Sequence, residues 1–211
     1  MSLIEPSGHV PPAAAEDAKQ PTAVFLGRLV PGKGLDALLD ALPATWTLLR
    51  GRMPGTFEVQ IAGYGALERQ VSERVTSLRA QGVPIRFVGY AEAGAVLAPA
   101  AATLSMQGTT NLPSRVVAEA LIGGCGVIDR DTGDSRQFRE DLPGLTYCGV
   151  QLRADELAHH VATLTASVLD GDTFGRSVRA AALERFCSPH YIDCFHGVLF
   201  GDRVTTSSHA Y

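Results

Sequence analysis

The stretch Thr22-Ala-Val-Phe-Leu-Gly-Arg-Leu-Val-Pro-Gly-Lys-Gly34, followed by Leu35, Leu38, Leu39 and Leu42, decides the fold. Residues 22–26 form a short apolar run stopped by Gly27, which reads as a strand. The four leucines recur at three- and four-residue spacing and build one apolar helical face. Strand, tight turn and helix make the opening unit of a βαβ series. The same alternation continues downstream: Phe57-Glu-Val-Gln-Ile61 alternates with period two before Gly63, and residues 66–80 are helical by content. A strand is expected at Pro84-Ile-Arg-Phe-Val88, a short helix at 93–97 and a strand at 101–105. A helix at 114–122 and strands at 126–129 and 144–148 complete the series. From Asp155 only helical patterns remain, broken at Gly171 and Pro189 and closing in an amphipathic stretch through Tyr191, Phe195 and Leu199. Six short strands separated by helices predict an α/β, Rossmann-like, doubly wound and mostly parallel sheet with a C-terminal helical cover.

The chain has 211 residues, which at about 150 residues per domain suits one α/β domain with extensions. Apolar residues make up 45% and charged residues 19%, with mean hydropathy +0.09, enough to bury a core and against global disorder. Residues 1–20, with Pro6, Gly8, Pro11, Pro12 and the run Ala13-Ala14-Ala15, read as linker. The expected division is linker 1–20, domain 21–200 and tail 201–211. No apolar run approaches the roughly 18 residues of a membrane span, and the first twenty residues lack the order of a signal peptide. A soluble, cytoplasmic chain is therefore expected. Asp+Glu number 22 against 18 Lys+Arg, a net charge of -4, so no general electrostatic drive toward nucleic acid or anionic lipid exists. Any phosphate binding must be local.

Cys125, Cys148, Cys187 and Cys194 include no Cys-x-x-Cys pair and read as reduced thiols. His159 and His160 are adjacent, about 100° apart on a helix, and cannot share one metal face, so solvent is their expected partner. His190 and His196, near Cys187 and Cys194, fit no standard ligand spacing.

In a doubly wound sheet ligands bind beyond the carboxyl ends of the strands, and three of those turns carry chemistry. The first, Gly27-Arg28-Leu-Val-Pro31-Gly32-Lys33-Gly34, nearly spells a P-loop, but Gly34 stands where a Mg²⁺-binding Ser or Thr is required. Arg28 and Lys33 instead offer a guanidinium and an ammonium beside a helix N-terminus, suited to a diphosphate. Two solvated cations on an ordinary Gly-Pro turn are the alternative. The second turn, Ile61-Ala-Gly63-Tyr64-Gly65, permits close backbone approach of a ligand or is simply tight. In the third, Asn111-Leu112-Pro113-Ser114 leads into a helix that Ser114 can cap, which builds an anion site. Glu119, one turn further in, suits the paired hydroxyls of a ribose or else is a solvated helix residue.

Four motifs in this order, Phe25-Leu-Gly-Arg-Leu-Val-Pro-Gly-Lys-Gly34, Ile61-Ala-Gly-Tyr-Gly65, Ile85-Arg-Phe-Val-Gly89 and Asn111-Leu-Pro-Ser-Arg-Val-Val-Ala-Glu-Ala120, resemble the C-terminal half of group 1 glycosyltransferases. These are retaining enzymes of GT-B architecture, two facing Rossmann-like domains, the C-terminal one holding a nucleotide-sugar donor and the N-terminal one the acceptor. The resemblance runs over residues ~22–200. Ile4-Glu-Pro-Ser-Gly-His-Val resembles the interdomain segment, and Ala182-Leu-Glu-Arg-Phe-Cys-Ser-Pro the helical end.

The resemblance implies Arg28 and Lys33 as the catalytic cations on the donor diphosphate and Glu119 on the ribose. It further implies Gly27 and Gly63 in the donor turns, base contacts at Gly89 and Tyr90, and backbone amides near Leu112, Pro113 and Ser114 on the distal phosphate. The first acid of the family's usual Glu pair is Asn111 here, a departure at the sugar. No cofactor or metal is implied, the nucleotide-diphosphate sugar being a substrate. The implied partner is an N-terminal acceptor domain on the same or a separate polypeptide, with membrane association only through the full enzyme. A non-catalytic Rossmann-like interaction module, motivated by Asn111, is the alternative.

Overall fold

A computed structural model describes residues 19–109, 114–132, 136 and 142–187. Of the linker expected over residues 1–20, residues 1–18 lie outside the described residues, as do the break at Pro189, the amphipathic close and the tail, whereas Lys19 and Gln20 belong to the domain. The chain alternates strictly at first: β1 (Gln20–Leu26), α1 (Leu35–Leu49), β2 (Glu58–Ala62), α2 (Glu68–Ala80), β3 (Ile85–Gly89), α3 (Ala93–Leu97), β4 (Ala100–Ser105), α4 (Arg115–Ile122) and β5 (Gly126–Arg130). Strand β6 (Leu145–Cys148) and helices α5 (Ala154–Leu169) and α6 (Asp172–Cys187) follow. The six strands form one sheet in the order β3-β2-β1-β4-β5-β6. Every pairing within it is parallel, so the sheet is wholly rather than mostly parallel.

Side chains along each strand alternate between two cores. Ala23, Phe25, Val59, Ile61 and Ile128 face one layer, which α1, α2 and α5 supply with Leu38, Leu39, Val71, Leu78 and Leu157. Val24, Ala62 and Val127 face the other, built from α3, α4 and α6 through Leu97, Val117, Leu121, Val178 and Phe186. Each fully buried aliphatic side chain contributes about 1.5–3 kcal/mol, which is why the apolar runs of the sequence map so directly onto strands.

Helix α1 differs from the sequence reading. Its leucine face ends at Leu42, yet the helix runs on through Pro43 to Leu49. The proline removes one backbone donor, while the added turns bury Thr45 and Leu49 and stack Trp46 on Phe57, ring centroids 6.2 Å apart. Burial outweighs the lost bond.

Strand β1 starts at Gln20, earlier than the apolar run, because Lys19 is fastened. Its ammonium donates to the carbonyls of Ala98 at 2.6 Å and Gly123 at 2.8 Å, the ends of α3 and α4. Burial lowers its pKa, with the Cys125 thiol raising it and Arg179 lowering it further. Lys19→Met leaves both carbonyls without this donor, and a loss of about 1–3 kcal/mol is expected in urea unfolding.

The turn into α1 carries the tightest constraint. Gly34 has φ 75° and a β-carbon on it would lie 1.6 Å from the Met106 carbonyl oxygen. Gly34→Ala is expected to cost at least about 2–4 kcal/mol, read as a lower urea midpoint with unchanged slope.

Candidate functional site

From β1 the chain winds out to β3, then crosses back to place β4 on the other side of β1. The connections that leave β1 and β4 therefore diverge, opening a crevice beyond their carboxyl ends. A cleft of about 800 Å³ occupies this position. Its base includes Leu26 and Leu104, and its walls are the turns after β1, β2 and β3 together with the first turns of α4.

Three turns are laced together to make that wall. Gly27 donates to the Ala62 carbonyl at 3.1 Å, Leu29 to Tyr64 at 2.8 Å and Leu67 back to Leu29 at 2.9 Å. On the other side Gly108 donates to Gly32 at 3.3 Å. A β-carbon on Gly63 would meet the Gly27 oxygen at 1.9 Å, and one on Gly65 the Leu29 oxygen at 2.5 Å. The Gly-x-Gly turn thus makes room for the neighbouring turn, although Gly63 also lines the cleft. Gly34 admits no side chain against Met106, so the P-loop's hydroxyl position cannot be filled.

Arg28, Lys33 and Glu119 all line this one cleft, as do Gly27, Tyr90 and Ser114. Gly89 does not. Its φ of 76° turns the chain toward Tyr90 while its carbonyl accepts from the Gly63 amide at 2.7 Å. Asn111, Leu112 and Pro113 lie outside the described residues. Ser114 is extended at the N-cap of α4, and its hydroxyl accepts from the Val117 amide at 3.4 Å, as its residue type predicts. The helix thus presents its N-terminus to the cleft, with the positive end of its dipole there.

The cations differ in state. Arg28 is exposed, whereas Lys33 is partly covered and its ammonium donates to the Gln107 side-chain oxygen at 2.5 Å. Burial, and then the Arg28 guanidinium, lower the Lys33 pKa from the usual lysine value. Glu119 sits half-buried, its carboxyl pulled up by burial against the opposing effect of Arg115. Arg115 Nε lies 3.2 Å from Glu119 Oε1, but Arg115 is largely exposed, so solvent screens most of that attraction.

Reading the sequence named Tyr90 for the site but gave its neighbour Tyr64 no role. Tyr64 and Tyr90, 55% and 68% exposed, meet edge to face with ring centroids 5.6 Å apart. Each follows a strand end closely, and only the parallel pairing Ala62↔Gly89 shows that they are neighbours. The Tyr90 hydroxyl donates to Glu92 at 2.8 Å, which raises its pKa and keeps it protonated. Gln107 and Arg115 also line the cleft, and neither carries a role in the sequence reading.

Among the described residues no group of three or more His, Cys, Asp or Glu could hold a metal ion. His160 corrects one expectation: its Nδ1 is 3.0 Å from the Thr146 hydroxyl rather than solvated. Cys125 and Cys148 are free and buried, the latter pushed up to about 12 by burial and Glu156. No helix among the described residues is long and apolar enough to cross a membrane.

No protein-family model matches the chain, and a search of curated proteins returns no match. Solved structures do match. Anabaena HepE in complex with UDP-glucose superposes with a TM-score of 0.62 at 21% identity, covering 90% of this chain and 50% of HepE. Staphylococcus aureus TarM, in a complex that includes UDP, gives 0.65 at 15% identity over 85% of this chain and 36% of TarM. The catalytic domain of Helicobacter pylori cholesterol-α-glucosyltransferase gives 0.57 at 17% identity, covering 77% of this chain. The chain has the fold of a GT-B glycosyltransferase domain. It spans half or less of HepE and TarM.

A guanidinium, an ammonium and a helix N-terminus border one cleft, groups whose charge can attract a small polyanion. Because the Lys33 pKa is lowered, its charge disappears at a lower pH than that of an ordinary lysine. Calorimetric affinity for inorganic pyrophosphate should therefore fall as pH rises through an alkaline range below 10.5. Lys33→Arg should remove that limb, since a guanidinium stays protonated.

Proposed function

We propose that this chain is the donor-binding, C-terminal half of a retaining GT-B glycosyltransferase. The observation that carries the reading is the convergence of Arg28, Lys33 and Glu119 on one cleft at the β1/β4 switch point. In this reading Arg28 and Lys33 hold the diphosphate of a nucleotide sugar, helped by the N-terminus of α4 and the backbone from Leu112 to Ser114. Glu119 takes the ribose hydroxyls. The nucleobase lies toward the Gly89–Tyr90 turn, and the sugar contact falls to Asn111 in place of a glutamate. An N-terminal domain, absent from this chain, brings the acceptor and the acid/base groups, so the chain alone binds donor with little or no transfer. The interdomain linker ends ahead of Lys19, the donor domain runs from there to residue 200, and 201–211 is a tail. The enzyme works in the cytoplasm and reaches a membrane only through its other half.

The chemistry agrees with this division. Breaking a glycosyl phosphate leaves a nucleoside diphosphate of growing negative charge opposite an oxocarbenium-like sugar. The charge is met by fixed cations and helix amides rather than by a metal. In the full enzyme, removing one of these contacts costs about 2–4 kcal/mol of transition-state stabilisation.

UDP is the first candidate nucleotide, since HepE and TarM are seen in complexes with UDP or UDP-glucose. Calorimetric titration with UDP-, GDP- and ADP-sugars should show saturable binding of at least one. Arg28→Ala and Glu119→Ala should each weaken it roughly 10-fold or more. Absence of saturable binding to all three overturns the reading.

A further inference from the structure

We infer that Gln107 is a positioning residue: its side-chain carbonyl holds the Lys33 ammonium charged and aimed into the cleft. The inference rests on the donor-site reading only for its consequence, because the contact belongs to the free protein.

Lys33 lies in a poor place for a cation. It is partly desolvated, and the guanidinium of Arg28 shares its turn and its cleft. Arg115 lines the cleft as well. The acids there are engaged elsewhere, Glu119 with Arg115 and Glu92 with the Tyr90 hydroxyl. Tyr64, facing Tyr90, adds no charge. Among the described residues the hydrogen-bond partner of the Lys33 ammonium is Gln107 Oε1, at 2.5 Å. The orientation of the amide is fixed by chemistry, since an ammonium has only donors and an NH₂ group cannot face it.

Gln107 is well built for the task. Its backbone carbonyl accepts from the Thr132 hydroxyl at 3.2 Å, and the next amide, Gly108, donates to Gly32, immediately before Lys33. The residue therefore spans from the β4 turn to the β1 turn while held at both ends. An amide oxygen favours the charged lysine without cancelling its charge, as a carboxylate would. The ammonium stays available to an incoming phosphate and loses little rotamer freedom when one arrives.

The chain contains two lysines, Lys19 and Lys33, so ¹⁵N-lysine labelling gives two side-chain signals that Lys33→Arg assigns. In the ligand-free protein, Gln107→Leu should lower the Lys33 pKa further and Gln107→Glu should raise it, with Lys19 unmoved. Affinity for inorganic pyrophosphate should fall roughly 3- to 10-fold in Gln107→Leu. In a Lys33→Ala background the same substitution should change nothing. A Lys33 pKa unmoved by either substitution overturns the inference, as does an equal loss of affinity in the Lys33→Ala background. If Gln107→Leu fails to fold, the near-isosteric Gln107→Glu carries the titration alone, and no rise then overturns it. Since the titration uses no nucleotide, failure of the donor reading leaves its outcome intact, and its failure leaves nucleotide-sugar binding standing.

Discussion

The carbonyl oxygens of Gly27, Leu29 and Met106 stand where β-carbons on Gly63, Gly65 and Gly34 would be. This close approach of backbone to backbone is what the cleft depends on. Three strand-to-helix turns from adjacent strands interlock without side chains between them, and their amides and carbonyls satisfy one another. A turn of this kind, exposed on its own, would have many conformations and pay entropy to select one. Interlocked, the β1–α1 turn is fixed on two sides, and buried Leu29 pins it from beneath. Arg28 and Lys33 flank that pinned segment. Their placement follows from glycine packing rather than from any contact between the cations and the protein's acids.

The charge pattern then has a clear consequence. Arg28 is exposed and hydrated, so its attraction for an anion is weak until water leaves. Lys33 begins partly desolvated and pays part of that cost in the free protein. A diphosphate that entered would shed hydration, neutralise the repulsion between the two cations and strengthen every other contact in the cleft. Glu119 is half-buried, and a carboxylate accepts from hydroxyl donors but repels phosphate.

Much of this was legible in the sequence because buried parallel strands read as uninterrupted Val, Ile, Leu and Phe runs, and the helices declare themselves by leucine spacing and by Ser114. Strand β1, where Ala23, Val24 and Phe25 are buried in succession, is an example. Element boundaries agree within two residues apart from α1, which runs past the leucine face because its added turns bury Thr45 and Leu49. The candidate site was legible where the chemistry is local: two cations in one turn and an N-cap in another. It was illegible where it depends on which strands are neighbours. Tyr64 meets Tyr90, and Lys33 meets Gln107, only once the order β3-β2-β1-β4 is known. The Gly-x-Gly motif left two uses open: the close approach of Gly27 and Leu29 shows the packing use, and Gly63 lines the cleft as well.

The far end of α4 completes the account. Its N-terminus and Glu119 face the cleft, so the direction of the helix sets where the dipole and the carboxylate lie. At the opposite end Arg179 donates to the Ile122 carbonyl at 2.5 Å and Lys19 to that of Gly123. Two cations thus neutralise the negative end of the dipole and satisfy carbonyls that a helix terminus leaves open. Lys19 also holds the end of α3 through Ala98, and α3 follows directly from the Tyr90–Glu92 wall. A residue just ahead of β1 therefore fixes the back of both helices whose fronts border the cleft. The geometry of the cleft is set from behind as much as from within.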